Sequence, residues 1–160
     1  MPSSSAPDPE QLVAALESPA LRELAARGRM QQYRKDVVML QEGDHGDTLY
    51  IVLAGRVKVF ATGVDDREIV FDIHGPGEYV GEMALDGGPR SASVMTLEPT
   101  TCSVVTRVTL KDHIAKHPEF AFELLAKVIR RARRATESAR DLALLDVYGR
   151  VRRLFDRAGA

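Results

Sequence analysis

Cysteine is nearly missing from this chain, with Cys102 standing alone among 160 residues. An internal disulfide is therefore excluded, as is a cysteine-held iron–sulfur cluster, which needs about four thiolates. Cys102 lies in the strand-like run Thr101–Thr106, where a lone thiol reads as a small buried hydrophobe rather than a redox group. Charge of one sign is also lacking: the formal net charge is −1, so nothing draws the whole chain toward nucleic acid or an anionic membrane. No run of about 18 apolar residues is present. The start of the chain has no basic segment leading into an apolar core, so no secretory signal is expected and the cytoplasm is the expected compartment. His45, His74, His113 and His117 form no recognisable ligand set and read as surface or turn residues. With no nucleophile–base pair or metal cluster in view, the chain is not expected to be an enzyme or to carry a cofactor.

The remaining composition is that of an ordinary globular chain, 44% apolar and 28% charged, of a length that suits one domain with one added element. Residues 1–8 read as a disordered tail. Helical patterns follow at Pro9–Ser18 and Pro19–Arg27, each opened by proline, with Gly28 closing the second. From Met30 to about Val108 short β-branched runs take over: Val37–Leu40, Leu49–Leu53, Val57–Phe60, Ile69–Ile73 and Ser91–Met95. Glycine- and aspartate-rich turns separate them. Strands of about five residues spaced about ten apart predict a small antiparallel barrel or roll. After it, Thr109 is the expected N-cap for a helix over Leu110–Lys116. A longer helix then restarts at His117–Pro118 and is expected to run to about Leu145, with a further turn near Asp146 before Val147–Arg157. The fold class is thus α+β: short helices, a roll, and a long helix.

The long helix carries Ala121, Leu125, Val128, Ala132, Ala135, Ala139 and Leu142. That spacing alternates between four and three, as in the seam of a coiled coil, and its small central residues let two backbones approach closely. A homodimer through this seam is the expectation, with an intramolecular core as the alternative. Arg130, Arg131, Arg133, Arg134 and Arg140 surround it, and Glu137 and Asp141 supply opposite charge. A solvated flank suits that distribution better than a nucleic-acid patch.

The richest chemistry lies between Gly81 and Val94. Glu82 opens a short helix-like segment, and a glycine-rich turn leads to Pro89, Arg90 and Ser91. Arg90 presents a planar fork able to hold two phosphate oxygens, and Ser91 and the Ala92 amide are adjacent donors. A carboxylate at Glu82 beside an anion site needs its own donor, which a sugar hydroxyl supplies. Arginine plus glutamate within nine residues therefore describes a sugar phosphate, with a structural Glu82–Arg90 salt bridge as the rival reading.

Gly81, Glu82, Met83, Ala84, Leu85 and then Pro89, Arg90, Ser91, Ala92, Ser93, Val94 resemble the phosphate-binding cassette of the cyclic-nucleotide-binding domain. Glu42–Asp44 with Gly46–Tyr50, Leu53–Val59, and Arg67–Ile69 before Gly75–Gly77 agree with the same pattern. Leu142–Val151 resembles the hinge that leaves the dimer helix in bacterial CRP/FNR-family regulators. The resemblance covers essentially Leu12 to the end and implies an antiparallel double-stranded β-helix, a jelly-roll-like β-roll. It divides the chain into a β-roll domain with flanking helices over 9–116, a dimerisation helix over 117–145, and a hinge with the expected start of a truncated output domain over 146–160.

By resemblance, Glu82 accepts from the ribose 2′-hydroxyl, and Arg90 and Ser91 hold the cyclic phosphate. The amides near Gly81, Met83, Ala84 and Ala92 assist, and Val59 and Phe71 line the base pocket. Two consecutive helix positions that face the purine in the family read Ala135 and Thr136 here, so only the contact made across the dimer keeps its hydroxyl. The implied effector is cAMP more than cGMP. Family regulators continue into a helix-turn-helix. None is found in these residues, so the expected role is a sensor half whose DNA contact is made elsewhere. A sensor of another effector and a stand-alone nucleotide binder are the alternatives.

Overall fold

Both short N-terminal helices open on side chains that satisfy backbone donors. In the computed structural model, which describes residues 7–159, helix α1 (Pro9–Ala14) is capped by Asp8, whose carboxylate accepts from the Glu10 amide at 3.1 Å. Helix α2 (Pro19–Arg27) is capped by Ser18, which accepts from the Leu21 amide at 3.2 Å. The expected extension of α1 to Ser18 does not occur. Ser18 precedes a proline and is extended, as the proline ring requires, and so it belongs to the next helix as its cap. Most of the expected N-terminal tail, residues 1–6, lies outside the described residues.

Eight strands follow: β1 (Arg29–Tyr33), β2 (Val38–Leu40), β3 (Leu49–Ala54), β4 (Val57–Thr62), β5 (Glu68–His74), β6 (Tyr79–Val80), β7 (Ser93–Thr96) and β8 (Thr100–Val105). They form two antiparallel four-stranded sheets, in the orders β1-β8-β3-β6 and β2-β7-β4-β5. Leu40, Val57 and Val94 from one sheet meet Val52, Val80 and Cys102 from the other in a single apolar cluster. Every residue of β8 is buried, because it pairs on both edges and receives α2 on its outer side. There the Ser103 hydroxyl donates to the Ala25 carbonyl at 2.6 Å. Strand β1, with its polar sequence, has no β-branched signature; pairing with β8 over five positions makes it a strand.

Helix α3 (Arg107–Lys116) begins earlier than expected. Thr106, not Thr109, is its N-cap: Thr106 is extended and its hydroxyl oxygen accepts from the Thr109 amide at 3.2 Å, which puts Thr109 in the first turn. Nor are all four histidines at the surface. His74 and His113 are buried, His74 against Glu78 and Asp72 and His113 against the ring of His117, with centroids 4.7 Å apart.

The described chain falls into two compact units, one ending at His117 and the other beginning at Pro118. The second unit is helix α4, which runs without interruption from Pro118 to Ala158. The turn expected near Asp146 is absent. No proline interrupts this stretch, a single glycine costs a helix only about 1 kcal/mol, and Arg150 pairs with Asp146 one turn back at 3.0 Å. Among the described residues no helix is long and apolar enough to cross a membrane.

Candidate functional site

Between β6 and β7 the chain makes a tight turn at Gly81, a 3-10 turn over Glu82–Asp86, and a glycine-rich return to Arg90. Gly81 has a φ of +97°, a conformation that a side chain disfavours. Packing demands glycine there as well: a Cβ would lie 2.7 Å from the Thr48 carbonyl oxygen and 2.9 Å from Arg90 Nη1.

Arg90 is the centre of the site. Only 5% of its surface is exposed, and its guanidinium is held on two sides. Nη1 donates to the Thr48 carbonyl at 3.0 Å and to the Gly81 carbonyl at 3.2 Å, while Nη2 donates to the Thr48 hydroxyl at 3.0 Å. Its backbone is fastened to the distant turn after β2. The Arg90 amide donates to the Asp44 carbonyl at 2.8 Å and the Arg90 carbonyl accepts from the Gly43 amide at 2.9 Å. Ser93 extends this seam, accepting from the Glu42 amide at 2.9 Å. Burial pulls the Arg90 pKa below the ordinary arginine value, and the nearby Tyr50 and Asp47 oppose that shift. The charge persists, since arginine does not deprotonate in proteins.

Glu82, the first residue of the 3-10 turn, is buried with 8% exposure. The backbone of Met83 and Ala84 lies in that turn, and their side chains fall outside the described residues. Ser91 is exposed and Ala92 half-buried, both ahead of β7 rather than inside the expected Ser91–Met95 strand. Val59, on β4, pairs with Val94 at the end of the cassette and packs against the core cluster. Phe71 lies at the irregular step of the β4–β5 pairing and is 59% exposed. Thus Gly81, Glu82, Arg90, Ser91 and Ala92 share one segment, with Val59 on the strand beside it.

Thr136 belongs to α4, where its hydroxyl donates to the Ala132 carbonyl at 3.0 Å. Leu125, Ala132, Ala135, Ala139 and Leu142 of the expected seam are exposed in this chain. Two residues absent from the sequence-based site belong to it. Among the described residues Thr48 supplies two of the three acceptors for the Arg90 guanidinium, and Gly46 lies so close that a Cβ would sit 2.9 Å from Nη2. The only signal for them was the segment Gly46–Tyr50, whose pattern carried no chemistry of its own.

The sequence model of the family described as "Cyclic nucleotide-binding domain" matches residues 30–117. Over 137 residues the chain is 34% identical to the CRP-like cAMP-activated global transcriptional regulator of Mycobacterium tuberculosis, covering 85% of this chain and 61% of that protein. The crystal structure of Thermus thermophilus catabolite activator protein matches with a TM-score of 0.70 and 31% identity, over 84% of this chain and 63% of that one. The c-di-GMP responsive global regulator CLP of Xanthomonas campestris matches with a TM-score of 0.71 and 28% identity, over 86% of this chain and 70% of that one. The chain therefore spans about three fifths of the length of such regulators.

Proposed function

Because the chain belongs to the cyclic nucleotide-binding domain family, we propose that Gly81–Val94 binds the cyclic phosphate and ribose of a cyclic nucleotide and that the chain is the sensing part of a bacterial transcriptional regulator. The observation that carries this reading is the buried, fixed guanidinium of Arg90 in one short segment with the buried residue Glu82. An arginine held in place before the ligand arrives loses little freedom on gripping an anion, and Glu82 complements it by accepting from the ribose 2′-hydroxyl. Ser91 and the amide of Ala92 add donors for the phosphate, and Val59 and Phe71 offer apolar contact for the base.

The ligand is cAMP rather than cGMP. In a homodimer formed through the seam from Ala121 to Leu142, Thr136 of one copy reaches the purine held by the other. Its hydroxyl donates to the Ala132 carbonyl at 3.0 Å, and in that arrangement its oxygen can accept. Adenine offers an N6 amino donor at that position, whereas guanine offers the O6 acceptor. The name of the M. tuberculosis relative, a cAMP-activated regulator, favours the same choice. The ligand then biases the dimer helix between two states through contacts it makes better in one of them. The bias passes along α4 to a DNA-binding region outside these residues, in the cytoplasm.

Calorimetric titration of the chain with cAMP and with cGMP tests this, repeated on Arg90→Ala. Loss of the charged bidentate contact is expected to weaken cAMP binding by about tenfold to hundredfold. Absence of binding to either nucleotide by the unaltered chain would refute the assignment. Because CLP is c-di-GMP responsive, that ligand is the third arm of the titration, and selective binding of it would replace cAMP as the effector.

A further inference from the structure

A guanidinium has five N–H donors in a fixed plane, and those of Arg90 are divided between donors with a protein acceptor among the described residues and donors without one. Nη1 and Nη2 both point at Thr48, toward its carbonyl and its hydroxyl, so the end of the fork closes on a single residue. The second Nη1 donor goes to the Gly81 carbonyl. Three donors are thereby used. The two that remain, Nε–H and one Nη2–H, lie parallel on the same edge of the plane, the arrangement that grips two oxygens of a phosphate. Gly46 lies against that edge, since a Cβ there would stand 2.9 Å from Nη2, 3.3 Å from Nε and 3.4 Å from Cζ.

We propose that Thr48 is a positioning residue of the anion site, locking the guanidinium so that its Nε–Nη2 edge faces the ligand, and that Gly46 keeps this edge open. The inference rests on the reading that Arg90 meets the cyclic phosphate, and it adds which edge does so and what aims it. Without the Thr48 hydroxyl, Nη2 loses the acceptor that fixes rotation about the last side-chain torsion. The fork then samples orientations that a ligand must first restrict. The hydroxyl is the part that substitution can remove; the carbonyl stays whatever residue stands at 48.

The test compares the unaltered chain with Thr48→Val, Thr48→Ser and Gly46→Ala. Valine keeps the shape and removes the acceptor, serine keeps the acceptor, and Gly46 has no left-handed backbone to disfavour alanine. Two quantities are read: cAMP affinity, and the Arg90 guanidinium nitrogen resonances in the ligand-free protein, which stay separate while rotation is hindered. Thr48→Val should average the resonances and weaken cAMP binding about tenfold, and Thr48→Ser should restore both. Gly46→Ala should weaken binding by crowding the edge. In an Arg90→Lys background, where no fork remains to be aimed, Thr48→Val should cause no further loss; a merely structural threonine would weaken binding equally in both backgrounds. Unchanged resonances, or averaged resonances with unchanged affinity, would overturn the proposal. If the unaltered chain binds no cyclic nucleotide, the functional reading fails by itself, and the resonances of the Thr48 variants still decide whether this residue fixes Arg90.

Discussion

Replacing Gly81 with alanine puts a methyl group where the turn before the cassette has no room for one. Two costs add. The backbone at +97° lies where an L-residue is disfavoured by about 1–2 kcal/mol. The new Cβ would also stand 2.7 Å from the Thr48 carbonyl oxygen, a backbone atom that cannot swing away, and overpacking of this kind costs about 1–3 kcal/mol. The expected loss is about 2–5 kcal/mol, a large share of the roughly 5–15 kcal/mol that holds a typical domain together. Urea denaturation followed by circular dichroism reads it as a lower midpoint with an unchanged slope. Gly75 is the control, because its backbone is not left-handed and a Cβ there would meet nothing within 4 Å; Gly75→Ala should stay within about 0.5 kcal/mol of the parent. Affinity for cAMP should fall with stability at Gly81 only, since the carbonyls of Thr48 and Gly81 both hold Nη1 of Arg90. If Gly81→Ala unfolds at the parent's midpoint, the turn geometry on which the site depends is wrong.

Two further outcomes test the fold around the site. Burial, aided by the neighbouring His117, lowers the His113 pKa, against a hydrogen bond to the Ala20 backbone and the charge of Glu23. The unfolded chain then binds a proton near pH 6.5 that the folded chain refuses. Stability should therefore be full above that pH and fall as pH drops from it toward the lowered value, with His113→Gln flattening the slope in chemical denaturation at stepped pH. At Cys102 burial pushes the thiol up to about 12, so a thiolate-directed reagent at pH 8 should label it only at the rate at which the core opens. Immediate labelling would contradict its place between the sheets.

The candidate segment could be picked out because it is local: Gly81, Glu82 and Arg90 lie within ten residues, and their types suit either an anion-and-hydroxyl site or a salt bridge before any fold is considered. Thr48 was not legible, because its contact with Arg90 brings together residues 42 positions apart, and a threonine in a loop carries no mark of which side chain it will face. Strand β1 escaped notice for a related reason: its polar residues become a strand only through their partner β8. The cap of α3 was misplaced by three residues because Thr106 and Thr109 are both good caps by type, and the backbone at Thr106 decides between them. At the other end, the segment near Asp146 reads as a turn in the sequence, although neither Asp146 nor Gly149 breaks a helix, and α4 continues through both.

By itself, then, the sequence determined the alternation of elements, the apolar repeat along the long helix and the closeness of Glu82 to Arg90 in the chain, all properties of periodicity and of near neighbours. Tertiary structure alone decided that Arg90 is buried and aimed, with three donors spent on Thr48 and Gly81 and one edge left toward Gly46. The physical reason is that orientation in a guanidinium is set by acceptors in space, and here the loop between β2 and β3 and the turn after β6 supply them to an arginine in the loop ahead of β7.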